Sequence, residues 1–325
     1  VWSWKENNLF HFCCLYGIDS KSHLIGSDSA EVVKLYKEFD TSLGKLVANL
    51  KLHKSYNDTL ILISSDHGHS NTSKHFDLVD FMQSKGKSVF YYPMIHQKIY
   101  KDFDAAVMVS GNSMAHIYLK NGDSWSHPYV QNDHNNIING LLLHDAIDIV
   151  LSKNLKGGIN IISRNGKAIV KDEESSIYYQ PLENDPFNYS LPEGYYTYND
   201  ILEKTFDTTY PDSLTQILQL FNSNRCGDIV VSASNGWDLR DKFEYPEHKS
   251  SHGSLMAQHI KVPLISNRKI TSKAIARTVD VFPTILDFLN ISAVNKIDGR
   301  SLNIYWILFF QKLLYVYIYF ILFCF

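Results

Sequence analysis

Thr59-Leu60-Ile61-Leu62-Ile63-Ser64-Ser65-Asp66-His67-Gly68 is the stretch that decides the fold. Its apolar residues run without alternation, which predicts a strand covered on both faces, as in the sheet of an α/β domain. The run ends in a carboxylate, an imidazole and a glycine. Asp and His together supply hard oxygen and borderline nitrogen donors for a divalent metal. Gly68 lets the backbone turn without a Cβ clash. Asp66 and His67 are therefore a candidate ligand pair at the end of a strand.

Upstream, Leu15 to Ile18 predicts a short strand that feeds Asp19. Asp19 and His23 are four residues apart, a spacing that puts both on one face of a helical turn. Carboxyl ends of strands are where α/β sheets bind ligands. From Ala30 a helix is expected, because Val32, Leu35, Tyr36, Phe39, Leu43, Leu46, Val47 and Leu50 fall at helical spacing. Strand, helix, strand is the βαβ pattern. Further along, the pattern predicts a helix over 76–82, strands over 107–110 and 115–119 around Gly111-Asn112, and a helix over 141–151. Strands over 159–162 and 168–170 follow, then a loop rich in Pro, Asn, Asp and Tyr over 183–200. A helix over 213–221, a strand over 228–233 and a closing helix over 278–289 complete the reading. Downstream, His252-Gly253 offers a third imidazole, with His248 as its rival four residues earlier.

A chain of 325 residues holds one large α/β domain with an insertion, or two domains. The formal net charge of −3 argues against a broad nucleic-acid-binding surface. The four cysteines, Cys13, Cys14, Cys226 and Cys324, contain no C-x-x-C pair, so neither a zinc knuckle nor a disulfide framework is expected. Val1 to Asn8 has no basic region followed by an apolar core, and the first residue is not Met, which reads as a truncated chain without a signal peptide. The tail from Leu302 to Phe325 is almost wholly apolar, with Lys312 its only charge, and is long enough to cross a bilayer. It reads either as a membrane anchor or as a non-native extension. A cytoplasmic location is favoured for the chain as given, with membrane association through the tail as the alternative.

The three clusters, in this order, resemble the alkaline phosphatase superfamily, and within it the type I phosphodiesterase/nucleotide pyrophosphatase family. The stretches that carry the resemblance are Gly17-Ile18-Asp19 with Ser22-His23 and Gly26; Tyr36, Asp40 and Gly44; Thr59 to Gly68; and Ser251-His252-Gly253-Ser254. Thr278 to Leu286 and Asp298-Gly299-Arg300-Ser301-Leu302 are similar to the closing helix and turn of the superfamily. The resemblance implies a mainly parallel sheet sandwiched by helices, with an inserted cap. Core parts are expected over 1–89 and 213–302, the insertion over 90–212, and the apolar tail over 303–325.

The resemblance also implies two divalent ions, zinc first and manganese as the alternative. Asp19, His23 and His252 would hold one ion; Asp66 and His67 would hold the other, together with an earlier Asp and a Thr or Ser nucleophile. The implied reaction is hydrolysis of a phosphodiester or nucleotide pyrophosphate through a phosphorylated enzyme, with a small phosphate ester or nucleotide as substrate. Phosphomonoesterase, phosphonate hydrolase, sulfatase and phosphoglycerate mutase are the alternatives inside the superfamily. The departure is upstream: only eighteen residues precede Asp19, and none, Ser3 included, sits in the family's nucleophile setting. The nucleophile is therefore expected upstream of Val1, and the chain as given is expected to turn over poorly or not at all. A catalytically inactive, membrane-tethered protein is the reading of a different class.

Overall fold

The structure, a computed structural model, describes residues 10–91, 102–125, 135–240, 242, 244–271, 275–304 and 317–323. The chain start read above as lacking a signal peptide, Lys312 and Cys324 lie outside the described residues.

In chain order the elements begin with β1 (Phe10–Leu15), α1 (Gly17–Ile25), α2 (Ala30–Leu52), β2 (Thr59–Ser65), β3 (Ser70–Asn71), β4 (Lys74–His75), α3 (Leu78–Ser84) and β5 (Val89–Tyr91). Next come β6 (Ala105–Ser110), β7 (Met114–Leu119), α4 (Asn135–Leu142), β8 (Ile147–Lys153), β9 (Ile159–Ser163), β10 (Lys167–Glu173), β11 (Ser176–Pro181) and β12 (Gly194–Tyr196). The remainder are α5 (Tyr198–Thr205), α6 (Ser213–Phe221), β13 (Ile229–Ala233), β14 (Trp237–Asp238), β15 (Ser250–Ser251), α7 (Ala257–Ile260), β16 (Leu264–Ser266), α8 (Val281–Phe288) and β17 (Tyr317–Phe323). The chain divides into two compact units, one of Val1–Ser22, Ser27–Gly68 and Val262–Phe325, the other of His23–Gly26 and His69–Lys261.

The first unit is organised by β2, all seven residues of which are buried. Its side chains alternate between two cores. Ile61 and Ile63 join Ile18 of α1 and Val32, Leu46 and Leu50 of α2. Leu60 and Leu62 join Val281, Ile285 and Phe288 of α8. A strand with both faces covered has no polar side to show, which is why its sequence lacks alternation. Each such side chain contributes about 1.5–3 kcal/mol by leaving water. The sheet order is β1-β17-β2-β16, with β17 parallel to both of its neighbours and β16 antiparallel to β2. Residues 317–323 of the apolar tail are thus strand. Among the described residues, no helix is long and apolar enough to cross a membrane. Asp280 is buried and accepts hydrogen bonds from the backbone N–H of Arg277 and Arg300, both at 2.9 Å. Gly299 passes so close to Val279 that a Cβ would lie 2.0 Å from its carbonyl oxygen. The closing helix and the Asp298-Gly299-Arg300 turn are held together this way. Cys14 is disulfide-bonded, while Cys13 and Cys226 are free.

The second unit is built on nine strands in the order β12-β11-β10-β9-β8-β13-β7-β6-β5. One face packs against α3 and α4 through Leu78, Met82, Ile137, Ile138 and Leu141. The other packs against α6 through Leu214, Ile217, Leu218 and Phe221. The α/β class is as the sequence predicted, but this sheet is not mainly parallel: every neighbouring pair except β5–β6 runs antiparallel. Three-residue connections over 111–113 and 164–166 join neighbours directly, and so short a link can only reverse a strand, never make a parallel crossover. The helix expected over 141–151 is instead the end of α4 followed by β8. Ile147, Ile149 and Val150 are stiff β-branched residues, and β8 lies between β9 and β13 with both faces buried. Continuous burial erased the alternation that would have marked it as a strand.

Candidate metal centre

The short strand expected over Leu15–Ile18 ends at Leu15, and the helix α1 carries Asp19 and His23 one turn apart on one face. His23, in the last turn of α1, is fixed by β15: its Nδ1 lies 2.8 Å from the Ser250 carbonyl oxygen, and its own carbonyl accepts the Lys249 N–H at 2.6 Å. A carbonyl only accepts, so the Nδ1 of His23 carries the proton and Nε2 keeps the lone pair. That tautomer is the one a metal-ligating imidazole adopts when a backbone carbonyl orients it.

Two further imidazoles join His23. His69, just before β3, has its Nδ1 2.9 Å from the Ser250 hydroxyl. His252 follows β15 directly. The ring centroids of His23 and His252 are 5.3 Å apart, those of His23 and His69 4.7 Å, and those of His69 and His252 5.1 Å. Each ring offers a nitrogen within 4.8 Å of the others. His248, the rival to His252, is also close, 4.5 Å from His23 between centroids. Three half-buried imidazoles, one of them with its donor tautomer fixed, are a donor set suited to zinc.

Backbone contacts set the position of His252. Its N–H donates to the Gly111 carbonyl at 2.7 Å, and its carbonyl accepts the Ser113 N–H at 3.0 Å. Gly111 has φ +59°, and a Cβ there would lie 2.5 Å from His252 Nδ1 and 2.7 Å from its carbonyl oxygen. Gly253 has φ +97°, and its Cβ would lie 2.9 Å from the Ser110 carbonyl. Both positions therefore demand glycine twice over, by conformation and by space. The Ser113 and Ser251 hydroxyls share a hydrogen bond of 2.6 Å. His259 accepts the Ser254 N–H on Nδ1 at 3.1 Å and contacts the Ser70 hydroxyl through Nε2 at 2.9 Å, tying the turn after His252 to β3.

Asp66 and His67 stand at the carboxyl end of β2. The Asp66 carboxylate accepts the His67 N–H at 3.0 Å, and its other oxygen is 3.8 Å from His67 Nε2. His67 Nδ1 lies 3.2 Å from the Gly68 carbonyl oxygen, again leaving Nε2 with the lone pair, and the Ser65 hydroxyl donates to the His67 carbonyl at 2.7 Å. Each of these hydrogen bonds spans no more than two residues.

Sequence reasoning missed His69, although it lies two residues past His67. A single imidazole beside an assigned pair carries no spacing signal. Gly111-Asn112-Ser113, expected as the turn between two strands, also clamps His252.

No curated protein matches the chain. Among solved structures, murine ectonucleotide pyrophosphatase/phosphodiesterase 5 is similar, with 15% identity, 86% of this chain and 54% of that chain covered, and a TM-score of 0.47. An inactive form of that murine protein in complex with AMP matches with the same figures. The human protein of the same name matches with 17% identity, the same coverage and a TM-score of 0.47. The chain spans about half the length of these proteins. The family model for type I phosphodiesterase/nucleotide pyrophosphatase matches residues 5–255, and the chain belongs to that family.

Proposed function

We propose that this protein hydrolyses phosphodiester or nucleotide pyrophosphate bonds with the aid of two divalent ions, zinc in preference to manganese. Family membership supports the reaction class. The observation that carries the metal reading is the convergence of His23, His69 and His252 with ring centroids 4.7–5.3 Å apart. In this reading His23, His252 and Asp19 hold one ion, Asp19 being delivered by the helix face it shares with His23. His69 is their neighbour and an additional ligand. Asp66 and His67 hold the other ion.

The ions, when bound, draw charge from the phosphoryl oxygens and stabilise the attacking and leaving oxygens. The protein's own part is positioning. The Ser250 carbonyl holds the His23 ring in its donor tautomer, the Gly68 carbonyl does the same for His67, and the Gly111 clamp fixes the height of His252. The hydroxyl nucleophile that the resemblance calls for is assigned to no residue of this chain. A nucleotide ester is the first substrate to test, since one similar protein was solved with AMP.

The test is zinc titration of chelator-stripped protein by calorimetry, with turnover of an aryl phosphodiester followed in parallel. The expected result is tight zinc binding that His23→Ala and His252→Ala each weaken on the order of 100-fold, since an outer-shell partner alone is worth 10–100-fold. Unchanged zinc affinity in both folded variants would overturn the proposal. Zinc binding without any phosphodiester turnover would retain the metal centre and reject the activity for this chain.

A further inference from the structure

A second group of donor side chains lies in the nine-stranded unit, in residues that the family resemblance does not use. His75 on β4 and Asp238 on β14 are paired across a short parallel ladder. Glu244 reaches the same place from the following loop. Each of the three offers a donor atom within 4.8 Å of the others. We infer that His75, Asp238 and Glu244 form a further divalent-cation site, one that takes a transition ion of the zinc or manganese class.

Four observations carry this. First, two carboxylates are buried together: Asp238 is 0% exposed and the Glu244 side chain 2%. Burying one carboxylate costs heavily unless it is paired, and burying two side by side costs more. Second, Glu244 Oε2 is buried and takes part in no hydrogen bond; His75 Nδ1 stands 3.4 Å away. Third, Asn112 Nδ2 contacts Asp238 Oδ2 at 2.6 Å, Glu244 Oε1 at 2.5 Å and His248 Nδ1 at 2.5 Å. An amide nitrogen carries two hydrogens, so the two carboxylates exhaust it, and His248 Nδ1, 3.0 Å from Glu244 Oε1, faces that same carboxylate. Fourth, the two ring nitrogens of His75 have different surroundings. Nδ1 faces two oxygens, the Arg240 carbonyl at 3.1 Å and Glu244 Oε2 at 3.4 Å. Nε2 has Glu247 Oε1 at 3.0 Å on the opposite side of the ring. A carboxylate behind an imidazole is the outer partner that orients a metal-ligating histidine. Nδ1 donates to the Arg240 carbonyl and would give up that proton on acting as the ligand atom.

One nitrogen and two carboxylates form a mixed borderline and hard donor set. It suits zinc or manganese better than calcium, which takes six to eight oxygens. The ion would join β4, β14 and the Glu244 loop. It would also relieve the crowding on Asn112, whose carbonyl accepts the Leu239 N–H at 2.8 Å and whose main chain bridges to His252. The site is thus a positioning element for the clamp on His252.

The competing arrangement has no metal: His75 doubly protonated, sharing its charge with Glu244 and Glu247. Metal content distinguishes the two. Protein stripped with a chelator, reloaded with zinc or with manganese and desalted is analysed by plasma mass spectrometry, beside the double variant Asp238→Asn/Glu244→Gln and the single variant His252→Ala. The double variant is expected to lose about one equivalent of metal relative to the parent, and His252→Ala is expected to keep that equivalent. Equal metal content in a folded double variant overturns the inference, as does loss in His252→Ala alone. If circular dichroism shows the double variant unfolded, crystals of the parent soaked in zinc decide. An anomalous peak among His75 Nδ1, Asp238 and Glu244 upholds the site, and a peak confined to the His23, His69 and His252 group rejects it. Failure of the phosphodiesterase reading leaves this measurement untouched, since it reads metal and not turnover.

Discussion

The two candidate ligand groups are built in opposite ways. Asp66 and His67 are neighbours in the chain, placed by the end of one buried strand and secured by hydrogen bonds within two residues. His23, His69 and His252 come from three distant segments and owe their meeting to β15, β3 and the Gly111 turn. The first group needs a strand to form; the second needs a sheet, a helix end and a left-handed glycine to agree. A local pair tolerates disturbance elsewhere, whereas a convergent group inherits the error of every element that contributes to it.

The largest test of that contrast is Gly111→Val. Its side chain would enter the space of His252 in a backbone conformation that β-branched residues avoid. We expect a loss of at least about 2 kcal/mol in stability, read by denaturant unfolding, with zinc binding by the histidine group abolished. A folded Gly111→Val protein that binds zinc like the parent would erase the distinction between the two groups.

Ser250→Ala removes the hydroxyl beside His69 Nδ1 but keeps the carbonyl that orients His23. An intermediate effect follows, a zinc affinity lower by about 10-fold in calorimetry. A loss as large as that of His252→Ala would mean that His69, not His23, anchors the group. For the local pair, Ser65→Ala deletes the hydroxyl that donates to the His67 carbonyl. Because Ser65 is buried, about 1 kcal/mol of stability should go, with zinc binding by the histidine group unchanged. Coupled loss in both readouts would show that the two groups depend on each other.

The smallest effect is a control set apart from both groups. His116 on β7 accepts the Gly227 N–H on Nδ1 at 3.0 Å, and burial holds its pKa below the usual imidazole value. A depressed folded pKa means that the neutral ring's contribution is complete above about pH 6.5 and fades as pH falls below it. The melting temperature should therefore fall between pH 7.5 and pH 5 by more in the parent than in His116→Asn, which keeps an acceptor but cannot ionise. Equal slopes would show that His116 does not contribute to the acid sensitivity.

The chain's sequence determined the features whose cause is local. The unbroken apolar run of β2 announced a strand with two covered faces. The spacing of Val32, Leu46 and Leu50 announced α2, and Asp66-His67 announced a carboxylate and an imidazole at a strand end. Family membership was legible from motifs spread over most of the chain. Tertiary structure alone decided what depends on convergence. It made β8 a strand, because burial on both faces removes the alternation by which strands are recognised. It made the large sheet antiparallel and placed residues 317–323 between β1 and β2. It brought His69 to His23 and His252, and set Asp238, Glu244 and His248 around the Asn112 amide. A one-dimensional pattern records which face a residue must hide; it does not record which distant residue will share that face, because that is fixed by packing and not by propensity.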